Sequence, residues 1–147
     1  MILNLEDGLL KLIQMKDLEL EAFVIEEATN LKKYATKEEL AKLNYNHLEG
    51  DNRFKCIYGQ MTGTCDSNRA SNLIFLCVSR VYKSGKFYSF KGELNGASTR
   101  AKEFRSCSYH TPIEKFLYKY KPERNSKSTK VEKLVSFLKG EIQELKF

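Results

Sequence analysis

Apolar residues recur at helical spacing along most of this chain, and most recurrences are bracketed by start or stop signals. Asn4 is placed to cap a helix over roughly residues 5–15, with Asp7 in its first turn. Asp17 is placed to cap a second helix through about Leu31, with Leu20, Phe23, Val24, Glu27 and Leu31 as a partly apolar stripe, unless the two run on as one bent helix. Thr36 and Glu39 form a capping box, and Leu40, Leu43, His47 and Leu48 follow on one face as far as the stop Gly50-Asp51-Asn52. His47 on that stripe reads as a satisfied buried ring.

The next third changes period. Phe54 to Tyr58 reads as a short apolar strand, followed by a loop with Gly59 and Gly63. Asp66 or Ser67 then caps a helix bearing Ala70, Leu73, Ile74 and Cys77. Two β-rich runs flank Ser84-Gly85, which predicts a hairpin over residues 78–91. Residues 92–106 show little periodicity and read as a long loop with one helical turn after Ser98.

Thr111-Pro112-Ile113-Glu114 is a helix start, and Ile113, Phe116, Leu117 and Tyr120 give its stripe before Pro122 stops it. After the polar linker ERNSKS, Thr129 and Glu132 form another capping box. Val131, Leu134, Val135 and Leu138 carry the stripe to Gly140. The tail EIQELKF is read as a short terminal strand. The pattern predicts a single mainly helical α+β domain over residues 1–147. Its small antiparallel sheet is built from residues 54–58 and the 78–91 hairpin.

Charge divides this domain in two. Residues 1–50 hold six Lys/Arg against ten Asp/Glu, whereas residues 51–147 hold nineteen against nine. A basic back suggests a phosphate-bearing or acidic partner, although lysines also simply keep helix surfaces soluble. The N-terminus lacks a basic n-region, and no apolar run is long enough to span a membrane, so a cytoplasmic protein with reduced thiols is expected. Four cysteines, at 56, 65, 77 and 107, form no C-x-x-C pair, and neither a metal nor a cofactor is expected. Cys77 falls on an apolar stripe and reads as core. Glu26-Glu27 and Glu38-Glu39 fall on predicted helix exteriors, where solvation is the ordinary reading.

Two stretches carry candidate chemistry. In YGQMTGTCDSNRA, Gly59 and Gly63 permit positive φ, Gln60, Thr62 and Thr64 add polar groups, and Arg69 stands in the first turn of the following helix. Backbone N–H groups and one guanidinium there suit a phosphate. A tight turn that needs glycine for its geometry accounts for the same glycines, and a Walker motif is absent. Between Arg80 and Lys130 lie thirteen Lys/Arg and four acids, interleaved with Tyr82, Phe87, Tyr88, Phe90, Tyr109, Tyr118 and Tyr120. Cations neutralise phosphate while exposed rings stack bases. The strongest cluster is Lys83, Lys86 and Lys91 with Arg100, Lys102 and Arg105; a core role suits Phe87, Phe90 and Tyr120 better than Tyr88. A thiol nucleophile is the rival chemistry, with Cys65 beside a helix N-terminus, His110 as base and Asp66 to orient it.

The wording CIYGQMTG, then C-x-S-x-R-A, with SYHTPIEKF downstream, resembles small uncharacterised accessory proteins of bacterial phages and mobile elements over roughly residues 54–140. That resemblance carries no catalytic motif and transfers no functional residue. It implies a counter-defence setting in a bacterial host cytoplasm. A non-enzymatic binding protein is then expected. It either sequesters a nucleotide signal near the 59–69 loop or blocks a host protein that handles nucleic acid. Oligomerisation is expected of a nucleotide sponge, whose pockets often lie between subunits. The alternatives are a thiol-dependent transferase or hydrolase using Cys65 and His110, and a structural phage component.

Overall fold

The computed structural model describes residues 5–50, 52–89, 110–122 and 127–147, with side chains from Asp17 onward. The described residues form a mainly helical α+β fold with one two-stranded antiparallel sheet. The first thirty-residue helix, α1 (Leu5–Tyr34), runs unbroken through Asp17, so the chain makes one helix where two caps were available. Leu20, Val24, Ala28 and Leu31 line its buried face.

Helix α2 (Lys37–Ala41) starts on the predicted box: Thr36 Oγ1 accepts the Glu39 N–H at 3.1 Å, and Glu39 returns the bond to the Thr36 N–H at 2.9 Å. It stops at Ala41, well before Gly50. A 3₁₀ turn, Tyr45–His47, follows, capped by Asn44. Leu43 and Leu48 are buried from either side of this turn, while His47 is exposed rather than a buried ring.

Phe54–Tyr58 is not a strand. Asn52 Oδ1 accepts the Phe54 N–H, and Cys56 Sγ accepts the Gly59 N–H, which starts a helix, α3 (Ile57–Thr62), inside the expected strand. Ile57, Tyr58 and Met61 bury one face of it. An apolar run this short fits a buried helix as well as a strand, and the caps decide. Gly59 stands within α3, where a Cβ would lie 2.3 Å from the Arg53 carbonyl oxygen. Gly63, with φ +97°, ends the helix.

Ser67 caps α4 (Asn68–Cys77), whose Ala70, Leu73, Ile74 and Cys77 are buried as the stripe predicts. The hairpin forms from β1 (Arg80–Lys83) and β2 (Lys86–Ser89), with Val81 opposite Tyr88 and Lys83 opposite Lys86. Its turn has positive φ at both Ser84 and Gly85, as a tight turn of matching twist requires. A single bridge from Tyr82 to His110 extends the sheet, in place of residues 54–58. The expected loop 92–106 lies outside the described residues.

Helix α5 (Pro112–Tyr120) begins on the Thr111–Glu114 box. Helix α6 (Thr129–Leu138) is capped by Ser128, one residue ahead of the predicted Thr129. Its end is a Schellman motif: Gly140, at φ +79°, donates to the Phe137 carbonyl, and Glu141 donates to that of Ser136. The tail forms bends rather than a strand, with Leu145 buried and the Phe147 ring 4.8 Å from that of Phe116. Helix α1 packs on α4, α5 and α6 and so forms the spine of the core. Among the described residues no helix is long and apolar enough to cross a membrane.

Candidate functional site

A cleft lies between α1, the hairpin and α5. It encloses about 720 Å³, within the range of small-molecule sites. Phe87 fixes one wall: its ring meets Phe23 of α1 at 4.8 Å and Tyr82 at 5.1 Å, both edge-on. This anchors the hairpin to the long helix. Tyr82 is held from behind as well, since its backbone N–H and C=O pair with His110 at 2.7 and 2.8 Å.

The opposite wall is α5. Lys115, Tyr118 and Lys119 share one side of this helix because three and four residues separate neighbours on a face. The Lys115 ammonium stands 4.6 Å from the centre of the Tyr82 ring. Lys119 pairs with Asp17 of α1, and burial lowers its pKa, with Lys130 adding in the same direction. Lys86 enters from the hairpin, and Glu19 from α1.

A second cleft, of about 470 Å³, lies beyond the Lys115–Tyr82 contact. Tyr82, Gly85, Lys115 and Tyr118 line both, while Lys83, Ser84 and His110 belong to the second alone. The His110 ring meets Tyr118 edge-on at 5.2 Å, and its Nδ1 lies 3.8 Å from a Glu114 carboxylate oxygen. The two clefts make one groove with a ridge of Lys115 on Tyr82. Four lysines, the rings of Tyr82, Phe87 and Tyr118 and the His110 imidazole line it against the carboxylates of Asp17 and Glu19. Ammonium groups of this kind hold phosphate, and the rings offer faces and edges to a base.

The residues singled out from the sequence divide between this groove and the body of the protein. Lys83 and Lys86 line the groove, and Tyr88 stands exposed beside them on β2. Arg100 and Arg105 lie outside the described residues, as do Lys91 and Lys102. The 59–69 stretch is bound up internally. Gln60 makes two hydrogen bonds to the backbone of Asn44, at 2.8 and 3.2 Å. The Thr62 hydroxyl lies 2.7 Å from the Tyr58 carbonyl and accepts from Ser67 at 3.0 Å. Arg69 grips Glu39 with two hydrogen bonds, of 2.9 and 2.8 Å, and donates to the Tyr34 carbonyl at 3.2 Å.

Cys65 and His110 have separate surroundings. Cys65 donates its N–H to the Arg53 carbonyl and neighbours Cys56, whereas His110 faces Tyr82, Glu114 and Tyr118. Asp66, proposed to orient the base, pairs instead with Arg53 at 3.6 Å. Among the described residues no cluster of three or more His, Cys, Asp and Glu is placed to hold a metal.

Sequence reasoning placed Tyr82, Phe87 and Tyr118 in the basic-aromatic stretch but did not see Asp17, Lys115 and Lys119 as partners in a site. The i, i+4 spacing of Lys115 and Lys119 around Tyr118 was the available signal. Comparison with known proteins gives no family model, no curated protein and no solved structure that matches this chain.

Proposed function

We propose that this protein is a non-enzymatic binder of a phosphate-bearing ligand with an aromatic base, a nucleotide, held in the groove between the hairpin and α5. The observation that carries this reading is the Lys115 ammonium on the Tyr82 ring, on the ridge common to both clefts. A base entering either cleft meets Tyr82 or Tyr118, while Lys83, Lys86, Lys115 and Lys119 stand within reach of its phosphates. Mixed cation and ring surfaces favour nucleotides over bare phosphate because both halves of the ligand contribute. The setting, a phage accessory protein that sequesters a nucleotide signal, rests on the sequence resemblance alone.

Calorimetric titration with ribonucleoside triphosphates, cyclic nucleotides, short single-stranded oligonucleotides and inorganic phosphate tests it. A nucleotide should saturate the protein far below the concentration at which inorganic phosphate acts. Lys115→Gln should weaken that binding by about tenfold, with the circular dichroism unaltered. Binding of long oligonucleotides alone, with a steep salt dependence, would favour a surface that covers nucleic acid instead. Saturation by none of these ligands, or full affinity in Lys115→Gln, would end the proposal.

A further inference from the structure

Two neighbouring thiols take no part in the groove. Cys56 is the N-cap of α3, 3% exposed, and its sulfur accepts the Gly59 N–H at 3.3 Å. Cys65 lies half-buried in the turn between α3 and α4, and its N–H donates to the Arg53 carbonyl at 2.9 Å. That carbonyl is the one that leaves no room for a Cβ at Gly59. The Arg53 carbonyl, bonded to Cys65 and lying against Gly59, whose own N–H reaches the Cys56 sulfur, thus brings the two cysteines together.

We propose that Cys56 and Cys65 are a peroxide-sensitive pair, closing to an intramolecular disulfide in the folded protein. Cys65, the more accessible of the two, reacts first. Its thiolate sulfur attacks one peroxide oxygen, the O–O bond breaks, and hydroxide leaves as Cys65 becomes a sulfenic acid. Cys56 then gives up its proton, its sulfur bonds to that of Cys65, and the sulfenic oxygen departs as hydroxide. The two thiols lose two electrons and two protons, and the peroxide ends as two waters. Cys65, with burial adding to its effect, raises the Cys56 thiol pKa, so the half-buried Cys65 and not Cys56 is the thiol that meets peroxide first.

Cys77 provides an internal contrast. It is buried on α4, and burial pushes its thiol up to about 12, with Glu27 adding to the effect. Trypsin, cutting after Lys55 and Arg69, releases Cys56 and Cys65 on one peptide. The folded protein should be treated with hydrogen peroxide, alkylated in denaturant, digested and weighed. That peptide should lose about 2 Da and its reactivity toward alkylating agent, while Cys77 keeps its own. In Cys56→Ser, Cys65 should stop at a sulfenic acid that dimedone traps; serine is itself a good N-cap, so the start of α3 survives. If that variant fails to fold, Cys65→Ser should leave Cys56 reduced under the same treatment. Oxidation of Cys77 at the same rate, a native peptide that stops at singly oxidised Cys65, or equally fast closure in the unfolded chain would each overturn the assignment.

Discussion

Glu27 of α1 accepts a hydrogen bond of 2.5 Å from the hydroxyl of Tyr58 of α3, with both residues fully inside the core. The second Glu27 oxygen accepts the Ile113 N–H, at 2.8 Å, in the first turn of α5. One carboxyl group thus joins three helices; its place on the stripe with Leu20, Val24 and Leu31 holds, and its reading as a solvated carboxylate does not. Burial raises its pKa from an ordinary 4.5 to about 7, against the pull of the bonds from Tyr58 and Ile113. The folded state therefore retains a proton that the unfolded chain releases. The Glu27 contribution to stability should be most favourable below about pH 4.5 and fall by about 3 kcal/mol as pH rises from there to about 7. Glu27→Gln keeps an acceptor for Ile113, makes the Tyr58 hydroxyl oxygen an acceptor instead of a donor, and should flatten that slope. Urea melts between pH 4 and 8 on both proteins read this out; a parallel slope in Glu27→Gln would refute it.

Glu39 behaves in the opposite sense. The hydrogen bond from Arg69 holds its carboxyl down at about 2, with the Thr36 N–H assisting against burial. Its contribution is complete above about pH 4.5 and disappears as pH falls toward 2. Arg69→Gln should cost about 1 kcal/mol at neutral pH, a modest figure because the arginine side chain is 40% exposed. The same variant should weaken the acid-side slope, as followed by circular dichroism from pH 5 to 2.

Gly59 and Gly63 should respond differently to alanine. At Gly59 the new Cβ meets the Arg53 carbonyl at 2.3 Å, a backbone atom that must move, so the cost should be about 3 kcal/mol. At Gly63 nothing lies within 4 Å, and only the positive φ opposes the change, at about 1 kcal/mol. Equal midpoints for the two variants in chemical denaturation would contradict the packing explanation.

Ser84 holds φ +52° without being glycine. Asparagine tolerates that region better, so Ser84→Asn should stabilise the hairpin by about 0.5 kcal/mol. Slower amide exchange at Val81 and Tyr88, with the rest of the protein unchanged, is the expected signature.

What the sequence disclosed follows from the range of each interaction. Capping boxes at Thr36 and Thr111, the stripe from Val131 to Leu138 and the Ser84-Gly85 turn depend on neighbours within a few residues, and all of them form. The strand expected at Phe54–Tyr58 did not, because Asn52 and the sulfur of Cys56 supply helix-starting acceptors that hydrophobicity alone does not reveal. Arg69 stood correctly in the first turn of its helix, but its partner Glu39 lies thirty residues away. The groove was the least legible part. Asp17 and Lys119 meet only once α1 and α5 have packed across 102 residues of sequence, and no local pattern announces that meeting.

Helix α6 reaches back to the beginning of the chain: Lys130 bonds Glu21, and the Tyr45 hydroxyl clasps the backbone of Ser128 by both its N–H and its C=O. These contacts span 109 and 83 residues. A ribosome therefore releases α1 long before the segment that covers it there, and that flank of the spine stays bare until that segment has emerged. Closure over such sequence distances comes late and slowly. Premature termination anywhere before Thr129 leaves a nascent product with an open apolar seam, a natural substrate for chaperones and proteases.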